Sequence, residues 1–266
     1  SWNDQFRNAF KGWHPDGNGG FIFGKWHPDY DFKKIQRMFM GSPRTHGGQY
    51  IDIAHSVNYL ESHDDYTLGD FIKIEMGLFN YNSRIEDIDK HSKLTNEEVS
   101  IHKLSALALF TSQGAIMVSQ GQEWGRSKVI VPSQYPDVNV GKLDHNSYEK
   151  DNETNWLNWD HRDANSELVD FYKSLIIIRK QNELLRYASP DNFKFLATKT
   201  NSISIGFVIS NGSESIAVFL NSDQNEIAEF EMNLEEWSPL IYTQSNIQLI
   251  DSKVKLPPIS GIILKK

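Results

Sequence analysis

The sequence contains no cysteine. That absence excludes disulfides, thiolate metal sites and a cysteine nucleophile, but it leaves the compartment open, because secreted proteins also lack cysteine. Excess positive charge is lacking too: 27 Lys and Arg stand against 35 Asp and Glu, a net charge of -8. Phosphate-rich partners need clustered Lys and Arg, so no nucleic acid and no anionic membrane surface is expected as a partner, and a neutral or cationic ligand fits better. No apolar run approaches the roughly 20 residues of a membrane span, and the first residues carry no signal-peptide pattern. The chain opens on Ser1 rather than Met, from which further sequence upstream is expected. What is present, 266 residues of which 39% are hydrophobic and 12% aromatic, suffices for one sizeable core and a smaller second one.

The first part of the chain alternates between helical and strand-like stretches. Phe6, Ala9 and Phe10 lie on one side of a short helix that Gly12 stops. Trp13-His14-Pro15-Asp16 and Trp26-His27-Pro28-Asp29 repeat around the glycine-rich Gly17-Asn18-Gly19-Gly20, which predicts a loop or hairpin. The two His and two Asp match no familiar zinc or facial-triad spacing, so no metal is assigned to them. Trp13 and Trp26 at a cleft edge would stack on sugar rings, and a packed loop accounts for them equally well.

Ile51 to Leu60, rich in Ile, Val and Tyr, reads as a buried strand, and Tyr66 to Gly77 as a helix. Thr95-Asn96-Glu97-Glu98 is a capping box opening a second helix, with Ile101, Leu104, Leu107, Ala108 and Phe110 apolar and an end expected at Gly114. Ala115 to Val118 then reads as a second short strand that runs into a polar, glycine-containing turn. Strand, helix and strand with polar ends on one rim is the pattern of parallel βαβ units. Arg126 to Asp163 shows no period. It reads as a solvated acidic loop or, given Trp124, Trp156 and Trp159, as an ordered functional segment. A last helix that begins near Asp163 to Ser166 carries Leu168, Phe171, Tyr172, Leu175 and Ile178 at helical spacing.

From about Tyr187 short alternating strands follow, at 193–197, 203–210, 215–220, 227–232, 240–242 and 247–250, with Asn211-Gly212 as a hairpin signal. Leu256 to Leu264 is expected to close the chain as an edge strand, because Pro257 and Pro258 block the ladder at its start. The tail is expected to be a separate antiparallel β-domain.

The chemistry is expected where the first strand ends, in Glu61-Ser62-His63-Asp64-Asp65. Polar side chains at the C-terminal ends of parallel strands are held rigidly at the mouth of a (β/α)-barrel. A Ser62-His63-Asp64 nucleophilic relay is disfavoured, since sequence neighbours on a strand point to opposite faces.

Tyr59-Leu60-Glu61-Ser62-His63-Asp64-Asp65 resembles the His-Asp-Asn signature at the seventh barrel strand of the α-amylase superfamily, and Trp2-Asn3-Asp4-Gln5-Phe6-Arg7 resembles the segment at the sixth. Gly121-Gln122-Glu123-Trp124-Gly125-Arg126, His145-Asn146-Ser147-Tyr148 and Trp156-Leu157-Asn158-Trp159 resemble the eighth-strand region of its debranching branch, the pullulanases, isoamylases and glycogen debranching enzymes. Leu256-Pro257-Pro258 with Ser260-Gly261 resembles the last strand of that family's β-sandwich.

The resemblance implies an α/β plus all-β chain: residues 1–186 as strands 6 to 8 of a (β/α)8 barrel, and residues 187–266 as an antiparallel β-sandwich. It implies retaining hydrolysis of α-glucosidic bonds in starch, glycogen or pullulan, with α-1,6 debranching favoured over α-1,4 cleavage. Asp64 would be the transition-state-stabilising carboxylate, and His63, Asp65, Tyr66, Asn146, Tyr148 and Asn152 would bind sugar. No cofactor is implied, and a structural calcium site is not legible. Asp65 departs from the family's Asn, and its charge is expected to raise the pKa of Asp64 if both are desolvated. The family's nucleophile Asp and acid Glu, from the fourth and fifth strands, have no counterpart here. The chain is therefore expected to be the C-terminal portion of a longer hydrolase, to need the N-terminal part of the same barrel, and to be inactive alone. The alternative is a non-catalytic fragment that binds α-glucan.

Overall fold

The computed structural model describes residues 1–15, 17–26 and 31–266. Asp16 and the His27-Pro28-Asp29 half of the repeated tetrapeptide lie outside the described residues. Helices α1 (Asp4–Phe10) and α2 (Phe32–Phe39) lead to strand β1 (Val57–Asn58), then α3 (Leu68–Glu75), α4 (Ile88–Ser92), α5 (Asn96–Phe110) and strand β2 (Ala115–Ile116). After a long irregular segment come α6 (Trp159–Ala164), α7 (Ser166–Gln181) and α8 (Leu184–Tyr187). Eight strands finish the chain: β3 (Phe193–Leu196), β4 (Ser204–Ser210), β5 (Ser215–Asn221), β6 (Ala228–Glu231), β7 (Ser238–Tyr242), β8 (Gln248–Ile250), β9 (Lys253–Leu256) and β10 (Ser260–Lys265). No helix among the described residues is long and apolar enough to cross a membrane.

The helices start where side chains satisfy the free backbone amides of a first turn. Asn3 accepts from Phe6 N, Thr67 from Asp70 N, and Thr95 with Glu98 forms the expected capping box. Helix α5 is apolar nearly all round because it is enclosed by α3, α7 and β10. It ends at Phe110, four residues before the expected Gly114. Helix α7 begins at Ser166, within the expected range, and a short helix that was not expected, α6, precedes it from Trp159, where Asn158 caps Asp160 N.

β1 and β2 pair in parallel, Val57 opposite Ala115, and Trp2 bridges Val57 on the other side, also in parallel. Three chain segments thus run side by side in one direction. The strand expected over 51–60 is reduced to two residues: Asp52 caps Ala54 N and turns 53–55 into a 3₁₀ helix, leaving Ile51 75% exposed. Tyr59 and Leu60 go on into the core without ladder partners among the described residues.

The antiparallel strands form a five-stranded sheet, β3-β4-β5-β10-β7, and a three-stranded sheet, β6-β9-β8. Period-two alternation on β5 serves two cores at once. Ile216, Val218 and Leu220 join the helices' core with Phe10, Phe39 and Leu107, while Ala217 and Phe219 meet Phe230, Val254 and Leu256 of the second sheet. Gly206 faces this seam, where a Cβ would come 2.8 Å from the Phe219 ring and 2.9 Å from that of Phe230. The expectation of a closing edge strand is corrected: β10 lies inside the five-stranded sheet between β5 and β7, and Pro257 and Pro258 fall in the connection before it. β9, unexpected from the sequence, is the central strand of the smaller sheet.

Candidate active site

The site is built where β1 ends. Glu61 is buried, and its carboxylate accepts from Leu68 N at 2.8 Å, which ties the end of the β1 segment to the first turn of α3 and makes 62–67 a closed loop. Burial pushes the Glu61 carboxyl up, and the backbone bond from Leu68 and the nearby Lys128, Arg126 and Lys11 charges oppose the rise. Within the loop Ser62 Oγ accepts from Asp64 N at 3.3 Å. Asp65 adopts the left-handed region with φ 68°, a conformation asparagine and aspartate tolerate better than most residues.

That conformation carries the Asp65 carboxylate to Lys11, at the C-terminal end of α1. Lys11 Nζ donates to Asp65 Oδ2 at 3.0 Å, and its side chain is fully buried with Nζ 4.7 Å from the Phe71 ring centre. Burial lowers the Lys11 ammonium below its ordinary value, against the attraction of Asp65. The condition set for an influence of Asp65 on Asp64, desolvation of both, is not met. The Asp65 charge is balanced by Lys11, and Asp64 is not desolvated, its side chain being 62% exposed.

His63 and Asp64 stand on the solvent side of this frame. His63 Nε2 lies 3.3 Å from Asp64 Oδ1, and the His63 ring sits 5.6 Å from Trp2 and 6.3 Å from Tyr148, centre to centre. Trp2 packs in turn on Tyr59, whose hydroxyl donates to Asp4 at 2.5 Å and receives Arg7 Nη1 at 3.1 Å. The backbone of Asp64 bridges that of Asn146, which fixes the 144–148 loop beside it. On the other side the Tyr66 ring lies 5.7 Å from that of His145, tilted by 40°, and the two line a cavity of about 310 Å³ with His14, Pro15, Asn18 and Tyr81. Burial raises the Tyr66 phenol to about 12, so it is a neutral hydrogen-bonding group at ordinary pH. Tyr148 is exposed, and its hydroxyl bond to Glu149 raises its pKa.

Of the residues singled out from the sequence, His63, Asp64, Asn146 and Tyr148 come together at one rim, and Asp65 and Tyr66 lie just behind it. Asn152 does not join them. Its side chain accepts from Thr154 N in a turn farther along, and among the described residues no hydrogen bond or ring contact links it to His63 or Asp64. Lys11, His14, Trp2 and His145 were missed as members of the site. The irregular segment before α6 is ordered by its own bonds: Arg126 donates to the carbonyls of Gln120, Thr154 and Asn155, and Asn155 donates to those of Ser147 and Lys150. Trp26 packs 5.6 Å from Phe21 and 5.9 Å from Phe32, whereas Trp13 is 55% exposed with Arg7 over its ring. Among the described residues no three His, Asp or Glu side chains converge as a metal site.

No protein-family model matches the chain. Several curated proteins do match, among them the following two. The pullulanase of Bacillus subtilis is 28% identical over 195 residues, covering 71% of this chain and 22% of that protein. A glycogen debranching enzyme of Erwinia tasmaniensis is 26% identical over 197 residues, covering 68% of this chain and 26% of that protein. The chain thus spans about a quarter of the length of each. Among solved structures, a Paenibacillus barengoltzii pullulanase in complex with maltohexaose and alpha-cyclodextrin superposes with a TM-score of 0.73 at 23% identity, over 99% of this chain and 38% of that one. In sequence over about two thirds of its length, and in fold over nearly all of it, the chain is similar to a part of the debranching glycoside hydrolases.

Proposed function

We propose that this chain is the C-terminal part of a hydrolase that cleaves α-glucosidic bonds in starch-like, glycogen-like or pullulan-like glucans, with α-1,6 debranching favoured over α-1,4 cleavage. Residues 1–186 contribute the last strands and helices of a (β/α)8 barrel, and residues 187–266 a β-sandwich. The single observation that carries the reading is the parallel order Trp2, β1, β2, with the His63-Asp64 pair exposed where β1 ends. Adjacent parallel segments with chemistry at their C-terminal ends are what a barrel mouth consists of. The likeness to pullulanases and glycogen debranching enzymes supports the same reading.

Cleavage with retention needs a nucleophilic carboxylate and an acid about 5 Å apart around an oxocarbenium-like transition state. Asp64 serves as the third carboxylate: it accepts hydrogen bonds from sugar hydroxyls and holds negative charge near the developing cation. His63, set against Trp2 and Tyr148, hydrogen-bonds the same sugar, and Tyr148, Asn146, Tyr66 and Asp65 shape the subsite. Asp64 stands largely in water, where charge interactions are weak, so its effect develops as the bound glucan displaces that water.

The neighbouring carboxylates are committed elsewhere: Asp4 to Tyr59, Glu61 to Leu68 N, Asp65 to Lys11 and Glu149 to Tyr148. This favours a chain that binds glucan without cleaving it until the rest of the barrel supplies nucleophile and acid. The test pairs the purified 266-residue chain with the full hydrolase on pullulan and amylose. The chain alone releases no reducing sugar and the full enzyme cleaves pullulan faster than amylose; turnover by the isolated chain would overturn the division of labour.

A further inference from the structure

A cleft of about 690 Å³ lies between the 85–88 turn, the 124–131 segment and the 153–161 segment. It contains neither His63 nor Asp64 and shares no lining residue with the cavity beside Tyr66. Trp124 lies buried in its wall, with Trp159 5.8 Å away, ring centre to ring centre. Trp159 is 57% exposed and Trp156 64% exposed. Arg162 sits 5.4 Å from the Trp159 ring, while Trp156 has no aromatic or cationic partner among the described residues.

Two polar groups of the same lining are also unpartnered. Arg126 is more than nine-tenths buried and its two terminal nitrogens are spent on backbone carbonyls, yet its Nε has no acceptor among the described residues. The neighbouring Ser127 Oγ is likewise without a partner. Buried polar groups normally find one; both atoms are closed off from solvent here, so a ligand oxygen in the cleft pairs with them only as the two side chains turn toward it.

We propose that this cleft is a second sugar-binding site that takes a short run of neutral pyranose units. Trp156 offers its indole face to the C–H side of a ring, and ring hydroxyls accept from Arg126 Nε and exchange a hydrogen bond with Ser127 Oγ. Its size is that of a small-ligand pocket. Other occupants fit less well. An anion would meet Glu86, Glu153 and Asp160 in the same lining. A wholly apolar ligand would leave Arg126 Nε and Ser127 Oγ unpaired. The choice of α-linked glucose as the pyranose rests on the proposed function; the site itself does not.

Maltotetraose titrated into the 266-residue chain, followed by calorimetry and tryptophan fluorescence, tests this. Wild type shows a saturable event. Trp156→Ala weakens it by about threefold to tenfold, as the loss of one aromatic stacking face predicts, and Ser127→Ala weakens it by about threefold to tenfold. The double variant His63→Ala/Asp64→Asn loses only the part of the signal that belongs to the rim, and it retains the part that Trp156→Ala removes. Trp156 is largely exposed, so its removal leaves the core intact, which circular dichroism verifies. Unchanged binding in Trp156→Ala overturns the site, as does no binding by wild type. Loss of the whole signal in the His63/Asp64 variant instead would overturn this site while leaving the proposed function standing, and that function is judged separately by turnover in the full enzyme.

Discussion

Lys11 Nζ and Asp65 Oδ2 lie 3.0 Å apart, joining the end of α1 to the loop that presents His63 and Asp64 across 54 residues of sequence. The lysine side chain is fully buried and that of the aspartate only 11% exposed. The pair therefore fixes the loop from beneath while its neighbours face solvent. Removing one partner leaves a mostly buried charge uncompensated, whereas removing both does not. Lys11→Met is expected to cost about 2 to 4 kcal/mol in urea unfolding, at the low end of buried-pair values because Asp65 keeps some solvent. Lys11→Met/Asp65→Asn recovers at least half of that. A single variant as stable as wild type would show that the loop is held by other contacts.

Arg179, on α7, donates to the carbonyls of Phe110, Ser112, Leu185 and Gly114, and so fastens the end of α5 and the start of β2 to α8. Arg179→Met leaves these four oxygens without that donor and is expected to destabilise by about 3 to 5 kcal/mol. Arg179→Lys does little better, because an ammonium cannot reproduce the planar fork that reaches four acceptors. A drop in the urea midpoint with unchanged slope is the expected observation. Full stability in the lysine variant would contradict the geometric argument.

His102 lies within α5 with neither ring nitrogen hydrogen-bonded among the described residues, and burial holds its pKa down to about 3. The unfolded chain protonates this residue near its ordinary 6.5. Between those values the unfolded state binds the extra proton. Stability from this group is complete above 6.5 and is lost as pH falls, by about 1.4 kcal/mol per pH unit. His102→Leu removes that share of the acid sensitivity and is close to neutral at pH 7. Unfolding free energies at pH 7 and pH 5 decide it: equal losses in wild type and variant would sink the assignment.

Much of this was legible where the signal is local. The α5 capping box, the apolar spacing of α7 and the alternation along β4 and β5 are short-range patterns, and each appears where expected. Ile51 and Ile53 misled because β-forming residues there occupy an exposed turn set by Asp52. β9 was hidden because Lys253-Val254-Lys255-Leu256 is short and follows Asp251 and Ser252, both at positive φ. The interior position of β10 depends on pairing with β5 and β7, which no local pattern specifies. At the site, the polar run after β1 announced His63 and Asp64. Lys11 did not stand out, because its meaning comes from a residue 54 positions away.

The most direct test of the account replaces Asp64 in the full hydrolase. Asp64 is 62% exposed in its side chain and its one ion-pair contact among the described residues is with His63, so Asp64→Asn is expected to leave the unfolding midpoint unchanged. If its charge stabilises the glycosyl transition state, kcat/KM on pullulan falls by about 100-fold to 1,000-fold, the range seen when one preorganised stabilising group is lost. Activity within about twofold of wild type at equal stability would show that Asp64 has no part in the chemistry.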